Sequence, residues 1–94
     1  MKYALLGFGL SNRFAAKYLV QLGEDVFVSE RGKLSEDDKK FLQENGIQFE
    51  EEKNSEKILE ADVILTSPSV PFNHPILTKA QEMGKYVDTE ITYF

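Results

Sequence analysis

Apolar runs too short to be helices alternate along this chain with segments of helical period, and that alternation restricts the fold more than any other feature. The runs are residues 3–6, 25–29, 47–49, 63–66 and 86–88. Several are continuously apolar, as expected of strands covered on both faces. Between the first two, Ala15, Tyr18, Leu19 and Leu22 recur at i, i+3, i+4 and i+7 and predict one apolar helix face within residues 11–22. Ser35 suits the N-cap of a second helix, with Asp38 in a capping-box position three residues on. Asn54 or Ser55 suits the cap of a short third helix carrying Ile58 and Leu59. Pro75 fits the first position of a fourth, whose shared face is Ile76, Ala80 and Met83. Gly23, Gly46 and Gly84 each follow one of these helices, where a left-handed residue is needed.

Strand and helix in strict alternation imply parallel pairing through right-handed crossovers. The expected fold is α/β: a Rossmann-like, doubly wound five-stranded parallel sheet in strand order 3-2-1-4-5, with helices on both faces. Residues 1–94 are expected to form a single domain, since a chain of this length hides roughly two-thirds of its unfolded surface and sustains one core. The net charge of −5 and the lack of a basic stripe argue against nonspecific nucleic-acid binding. With no cysteine, disulfides, thiolate metal sites and cysteine nucleophiles are excluded. No basic segment precedes a long apolar core at the N-terminus, and no apolar stretch nears the ~20 residues that span a bilayer, so neither a signal peptide nor a membrane association is expected.

In a doubly wound sheet, ligands bind outside the carboxyl ends of the strands at the switch point. Three loops fall there: residues 7–12, 29–31 and 66–71. The first, Gly7-Phe8-Gly9-Leu10-Ser11-Asn12, holds two glycines of the dinucleotide fingerprint. Gly7 suits a tight turn, and Gly9 lets backbone N–H groups approach an anion at a helix N-terminus. Asn12 replaces the third glycine, so its side chain is expected to push the helix outward, to fill phosphate space or to donate its amide to a phosphate. A turn that holds no ligand is the other reading of this loop. Glu30 stands where NAD enzymes place a ribose-binding acid. Arg31 suits a phosphate or the face of a base, and the plain alternative for the pair is a solvated strand end. The acidic run at residues 50–52 reads as another solvated strand end. In the third loop, Ser67 and Ser69 offer hydroxyls and backbone groups, while three prolines in eight residues stiffen the path. His74 has no cysteine or second histidine with which to share a metal, and capping or packing is expected of it rather than catalysis.

The chain resembles the N-terminal domain of the Mur ligases of peptidoglycan synthesis, and among them the members that add D-glutamate. The motifs carrying the resemblance are the glycine loop, then Thr66-Ser67-Pro68-Ser69-Val70-Pro71, Asn73-His74-Pro75 and Thr89-Glu90-Ile91-Thr92-Tyr93-Phe94. The family pattern is Gly-x-Gly-x-Ser/Thr-Gly, Ser-Pro-Gly-apolar-Pro, His-Pro and Gly-Glu-Ile-Glu-Leu-Phe. Asn12, Ser69 and Thr89 stand where that pattern has glycine.

The resemblance implies a domain that binds the UDP part of UDP-N-acetylmuramoyl-L-alanine. Gly7, Gly9, Leu10, Ser11 and Asn12 would surround the diphosphate, Glu30 and Arg31 would border the uracil, and Ser67, Pro68 and Ser69 would close over the nucleotide. It further implies a cytoplasmic parent enzyme whose central and C-terminal domains carry the ATP and magnesium sites and the catalytic lysines. No Gly-x-x-x-x-Gly-Lys-Ser/Thr occurs in these 94 residues, so no catalytic residue, metal or cofactor is expected within them. Two rivals remain: a generic NAD-binding module, which accounts for Gly7, Gly9 and Glu30 but not for the proline-rich stretch, and a ligand-free interaction domain.

Overall fold

The computed structural model describes residues 1–8, 10–67 and 74–89. The elements are β1 (Lys2–Leu6), α1 (Leu10–Gln21), β2 (Asp25–Glu30), α2 (Glu36–Glu44), β3 (Gln48–Glu51), a 3-10 turn (Glu56–Glu60), β4 (Val63–Thr66), α3 (Pro75–Glu82) and β5 (Tyr86–Thr89). All four strand pairings are parallel, in the order β3-β2-β1-β4-β5. Leu5 is the pivot of the register, opposite Val28 on one side and Leu65 on the other.

The apolar runs exist because both sheet faces are covered. Tyr3 and Leu5 point into a core with Ala16 and Leu19 of α1, Leu42 of α2, Leu34 and Ile47. Ala4 and Leu6 point the other way, into a core with Ile58, Leu59, Leu77 and Ala80. Each helix ends as its trailing glycine requires. The Gly46 backbone takes φ +66°, the Ile47 N–H reaches the Leu42 carbonyl at 2.9 Å, and the Gly46 N–H reaches Gln43 at 3.2 Å. The same paired closure follows α1 at Gly23 and α3 at Gly84.

Four local expectations are corrected. First, the buried side of α1 is Asn12, Ala15, Ala16 and Leu19, while Tyr18 and Leu22 are 51% and 57% exposed. The small alanines let the helix approach the sheet, and the larger apolar residues lie outside that contact. Second, the third helix is a single 3-10 turn capped by Ser55, whose hydroxyl accepts the Lys57 N–H; Ile58 and Leu59 are buried as expected. Third, α3 buries Leu77 and Ala80, with Met83 53% exposed. Fourth, Ser35 does cap α2 by accepting the Asp38 N–H at 3.1 Å, but the Asp38 carboxylate pairs with Arg13 at 3.3 Å in place of completing a capping box.

The acidic run is not a solvated strand end. Glu50 is 7% exposed and accepts from Ser29 Oγ at 2.7 Å, the Ser55 N–H at 2.7 Å and Ser55 Oγ at 2.6 Å. Burial pushes its carboxyl up, but the bonds from Ser55 and Ser29 and the nearby Lys53 charge outweigh burial and hold it below the ordinary glutamate value. Glu51 pairs with Lys39 at 2.8 Å and accepts the Leu34 N–H at 2.8 Å, which fastens β3 to the approach to α2. Only Glu52 is fully turned to solvent, and it takes φ +60°. That left-handed residue costs about 1–2 kcal/mol without a glycine. It brings the following residues back beneath Glu30 and Gly32, with Glu52 N–H on the Gly32 carbonyl at 2.9 Å.

Candidate functional site

At the carboxyl edge of the sheet, α1 leaves β1 on one face while the elements flanking β4 pack on the other, and the crevice between these directions is the switch point. Backbone bonds draw its segments together. Gly7, at φ +85°, turns the chain off β1 and donates its N–H to the Ser29 carbonyl at 2.8 Å. Only a residue lacking Cβ takes this turn without strain. Ser67, just past β4, donates its N–H to the Leu6 carbonyl at 3.0 Å. The ends of β1, β2 and β4 therefore meet, as their loops were expected to.

Glu30 closes the glycine turn. Its Oε1 accepts the Phe8 N–H at 2.8 Å, and its Oε2 accepts the Gly32 N–H at 2.7 Å. The carboxylate thus ties the glycine turn to the chain that follows β2. Arg31 is exposed beside it. Phe8 is buried against Phe41 of α2, with ring centroids 6.3 Å apart. The Arg13 guanidinium lies 4.6 Å above the Phe41 ring while also meeting Asp38. This stack braces the first turn of α1 from the side. No acidic side chain stands in that turn, so nothing on the helix itself offsets the positive end of its dipole.

The Asn12 side chain faces the protein interior. It is fully buried, and its Nδ2 donates down to the Leu6 carbonyl at 3.5 Å and to the Gly7 carbonyl. The amide replaces the glycine's close packing with hydrogen bonds that clamp the helix to the end of β1. Its Oδ1 has no partner among the described residues. Gly9, Pro68 and Ser69 lie outside the described residues, while Leu10 and Ser11 open α1. His74 is the N-cap of α3, its Nδ1 accepting the Ile76 N–H at 3.2 Å, in the capping role expected of it.

A second set of residues at this edge was not anticipated: Ser29, Glu50, Asn54 and Ser55. Ser29 Oγ lies within 2.7 Å of Glu50 Oε2, 2.8 Å of the Asn54 amide and 3.2 Å of the Lys53 carbonyl. One signal was present, since Ser29 is a hydroxyl directly after the apolar residues 26–28 and must find a partner if buried.

Residues 2–74 match the family model of the MurD N-terminal domain. The chain belongs to the MurD N-terminal domain family. Relatives called UDP-N-acetylmuramoylalanine–D-glutamate ligase are 77% identical over 94 residues in Fervidobacterium nodosum and 54% identical over 93 residues in Thermosipho africanus. These alignments take in 100% and 99% of this chain, and the chain spans 22% of each relative's length. Among solved structures, a murein peptide ligase from Psychrobacter arcticus superposes with a TM-score of 0.79 at 18% identity, covering 93% of this chain and 18% of that one. Saccharopine dehydrogenase from Saccharomyces cerevisiae superposes at 0.66, also at 18% identity, covering 94% of this chain and 21% of that one. A ligase and a dehydrogenase share the architecture, so the MurD family assignment rests on sequence and the fold alone does not separate the two ligand classes.

Proposed function

We propose that this domain holds the UDP end of UDP-N-acetylmuramoyl-L-alanine, as part of an ATP-dependent enzyme that joins D-glutamate to that substrate. The observation that carries the proposal is the meeting of the Gly7 turn, Glu30 and Ser67 at the positive end of α1. Membership of the MurD N-terminal family and the names of the relatives select the ligand class. In this reading the backbone at Leu10 and Ser11 receives the diphosphate, and Gly7 and Gly9 keep the approach open. Glu30 and Arg31 border the uracil. Ser67, with Pro68 and Ser69, lies over the nucleotide, and Asn12 supports the loop from below.

The remaining chemistry belongs to the rest of a cytoplasmic enzyme. ATP, with magnesium, would activate the alanyl carboxylate as an acyl phosphate, and the amine of D-glutamate would attack it. The present residues supply recognition and orientation, which hold the reacting end of a long substrate at a fixed distance from the nucleotide.

Calorimetric titration with UDP-N-acetylmuramoyl-L-alanine, UDP and NAD tests this. Both uridine ligands should bind, and more tightly than NAD, with modest affinity because the acyl end has no second domain to contact. Tighter binding of NAD would favour the dinucleotide reading, which the placement of Glu30 at the end of β2 supports. Gly9→Val should abolish UDP binding while circular dichroism shows the fold intact, because a branched side chain would stand where the diphosphate approaches.

A further inference from the structure

Four polar side chains from separate segments form a continuous path behind the glycine turn. His74 Nδ1 accepts the Ile76 N–H, and His74 Nε2 lies 3.3 Å from Asn54 Nδ2. Asn54 Oδ1 lies 2.8 Å from Ser29 Oγ, which lies 2.7 Å from Glu50 Oε2.

Counting protons orients every link. Glu50 is ionised and only accepts, so the one hydroxyl proton of Ser29 belongs to it. The Ser29 oxygen then needs a donor, and an amide oxygen is not one. At the other end, a neutral imidazole has a single acceptor nitrogen. The Ile76 N–H occupies Nδ1, so Nε2 carries the proton and must donate. Both demands are met by a half-turn of the Asn54 amide, which exchanges its oxygen and nitrogen in place, two atoms of nearly equal size. His74 Nε2–H then donates to the Asn54 oxygen, the Asn54 NH2 donates to Ser29, and Ser29 donates to Glu50.

We infer that Asn54 and His74 are positioning residues: a one-way hydrogen-bond relay runs from the first turn of α3 to the buried carboxylate of Glu50 and sets where α3 begins relative to the β2 end of the ligand site. The ligand part of this inference rests on the function proposed above. Ser67 is already tied to β1 through Leu6, and the relay ties His74 to β2 and β3. The two ends of the β4–α3 connection are thereby fixed to different strands.

His74 is the only histidine, so its ring nitrogens can be read in a 15N spectrum without assignment. The expected spectrum is that of a neutral ring protonated at Nε2, with that proton protected from exchange and the protection lost in Asn54→Ala. His74→Asn keeps an oxygen to cap Ile76 but lacks the reach to Asn54, so it separates capping from the relay. Both variants should weaken UDP binding about tenfold while the thermal midpoint of His74→Asn stays near the parent's. A ring protonated at Nδ1, or protection that survives Asn54→Ala, overturns the relay. Parent-like UDP affinity in both variants, with the histidine signal altered in Asn54→Ala, overturns the positioning role. If the parent chain binds no UDP, the proposed function fails with the positioning role, and the histidine spectrum still decides whether the relay exists.

Discussion

Replacing Glu50 by glutamine tests whether charge, and not shape, holds the end of β3. The carboxylate receives three hydrogen bonds at 2.6–2.7 Å, two on Oε2 and one on Oε1. Bonds to a charged acceptor contribute about 1.5–3 kcal/mol each and neutral ones about 0.5–1.5, so losing the charge weakens three bonds by roughly 1 kcal/mol apiece. In Glu50→Gln the amide oxygen takes the place of Oε2 and keeps both its donors. The NH2 then faces Ser55 Oγ, which rotates to accept. The variant also no longer buries a charge, which returns part of the loss. The net expectation is destabilisation by about 1–2 kcal/mol at pH 7, or roughly 5–15 °C in midpoint for a domain of this size. The sign with pH follows from linkage. The folded carboxyl lies below its ordinary value of 4.5, so its contribution is complete above that pH and is lost as pH falls through the folded value. Urea unfolding of both proteins at pH 7 and at steps below 4.5 should show a gap that closes with acid, at an unchanged m-value. Equal stability at pH 7, or a gap that persists in acid, would refute the charge argument.

Leu65→Ala should cost about 2–5 kcal/mol in the same urea assay, because Leu65 is fully buried beside Leu5 at the sheet centre; a smaller loss would mean that the core collapses around the gap. Glu52→Gly should raise stability by roughly 0.5–1 kcal/mol, the relieved left-handed strain at φ +60° exceeding the added freedom of the unfolded chain, and a lowered midpoint would count against that balance. Given ATP, D-glutamate and the sugar nucleotide, the 94 residues should release no phosphate in a malachite green assay, since they contain no P-loop lysine; sustained release from a preparation free of contaminating ATPase would contradict this.

The strand order was legible because every β1 residue from Tyr3 to Leu6 is buried, and a run apolar at both parities has no place except the middle of a covered sheet. The phase of α1 was not. Periodicity weights the large apolar residues, whereas packing distance to the sheet favours Ala15 and Ala16 and draws in Asn12, whose NH2 group meets two carbonyls. The convergence of Gly7, Glu30 and Ser67 followed from topology. The burial of Glu50 did not, because its partner Ser29 is 21 residues away and a left-handed Glu52 is needed to bring Ser55 back onto it. Adjacent glutamates with opposite fates carry no local signal that tells them apart.

The bond from Phe8 to Glu30 makes the glycine turn a competitive environment. An anion arriving there meets a resident carboxylate on the same chain, whose effective concentration is set by a short tether and is on the order of millimolar or more. A small solute such as chloride or acetate must displace that resident to gain the Phe8 amide. A ligand that spreads its attachment over several groups can leave Glu30 where it is, or supply the difference when it is displaced. The turn therefore sets an entry threshold at the Phe8 amide, which rewards a ligand with several points of attachment.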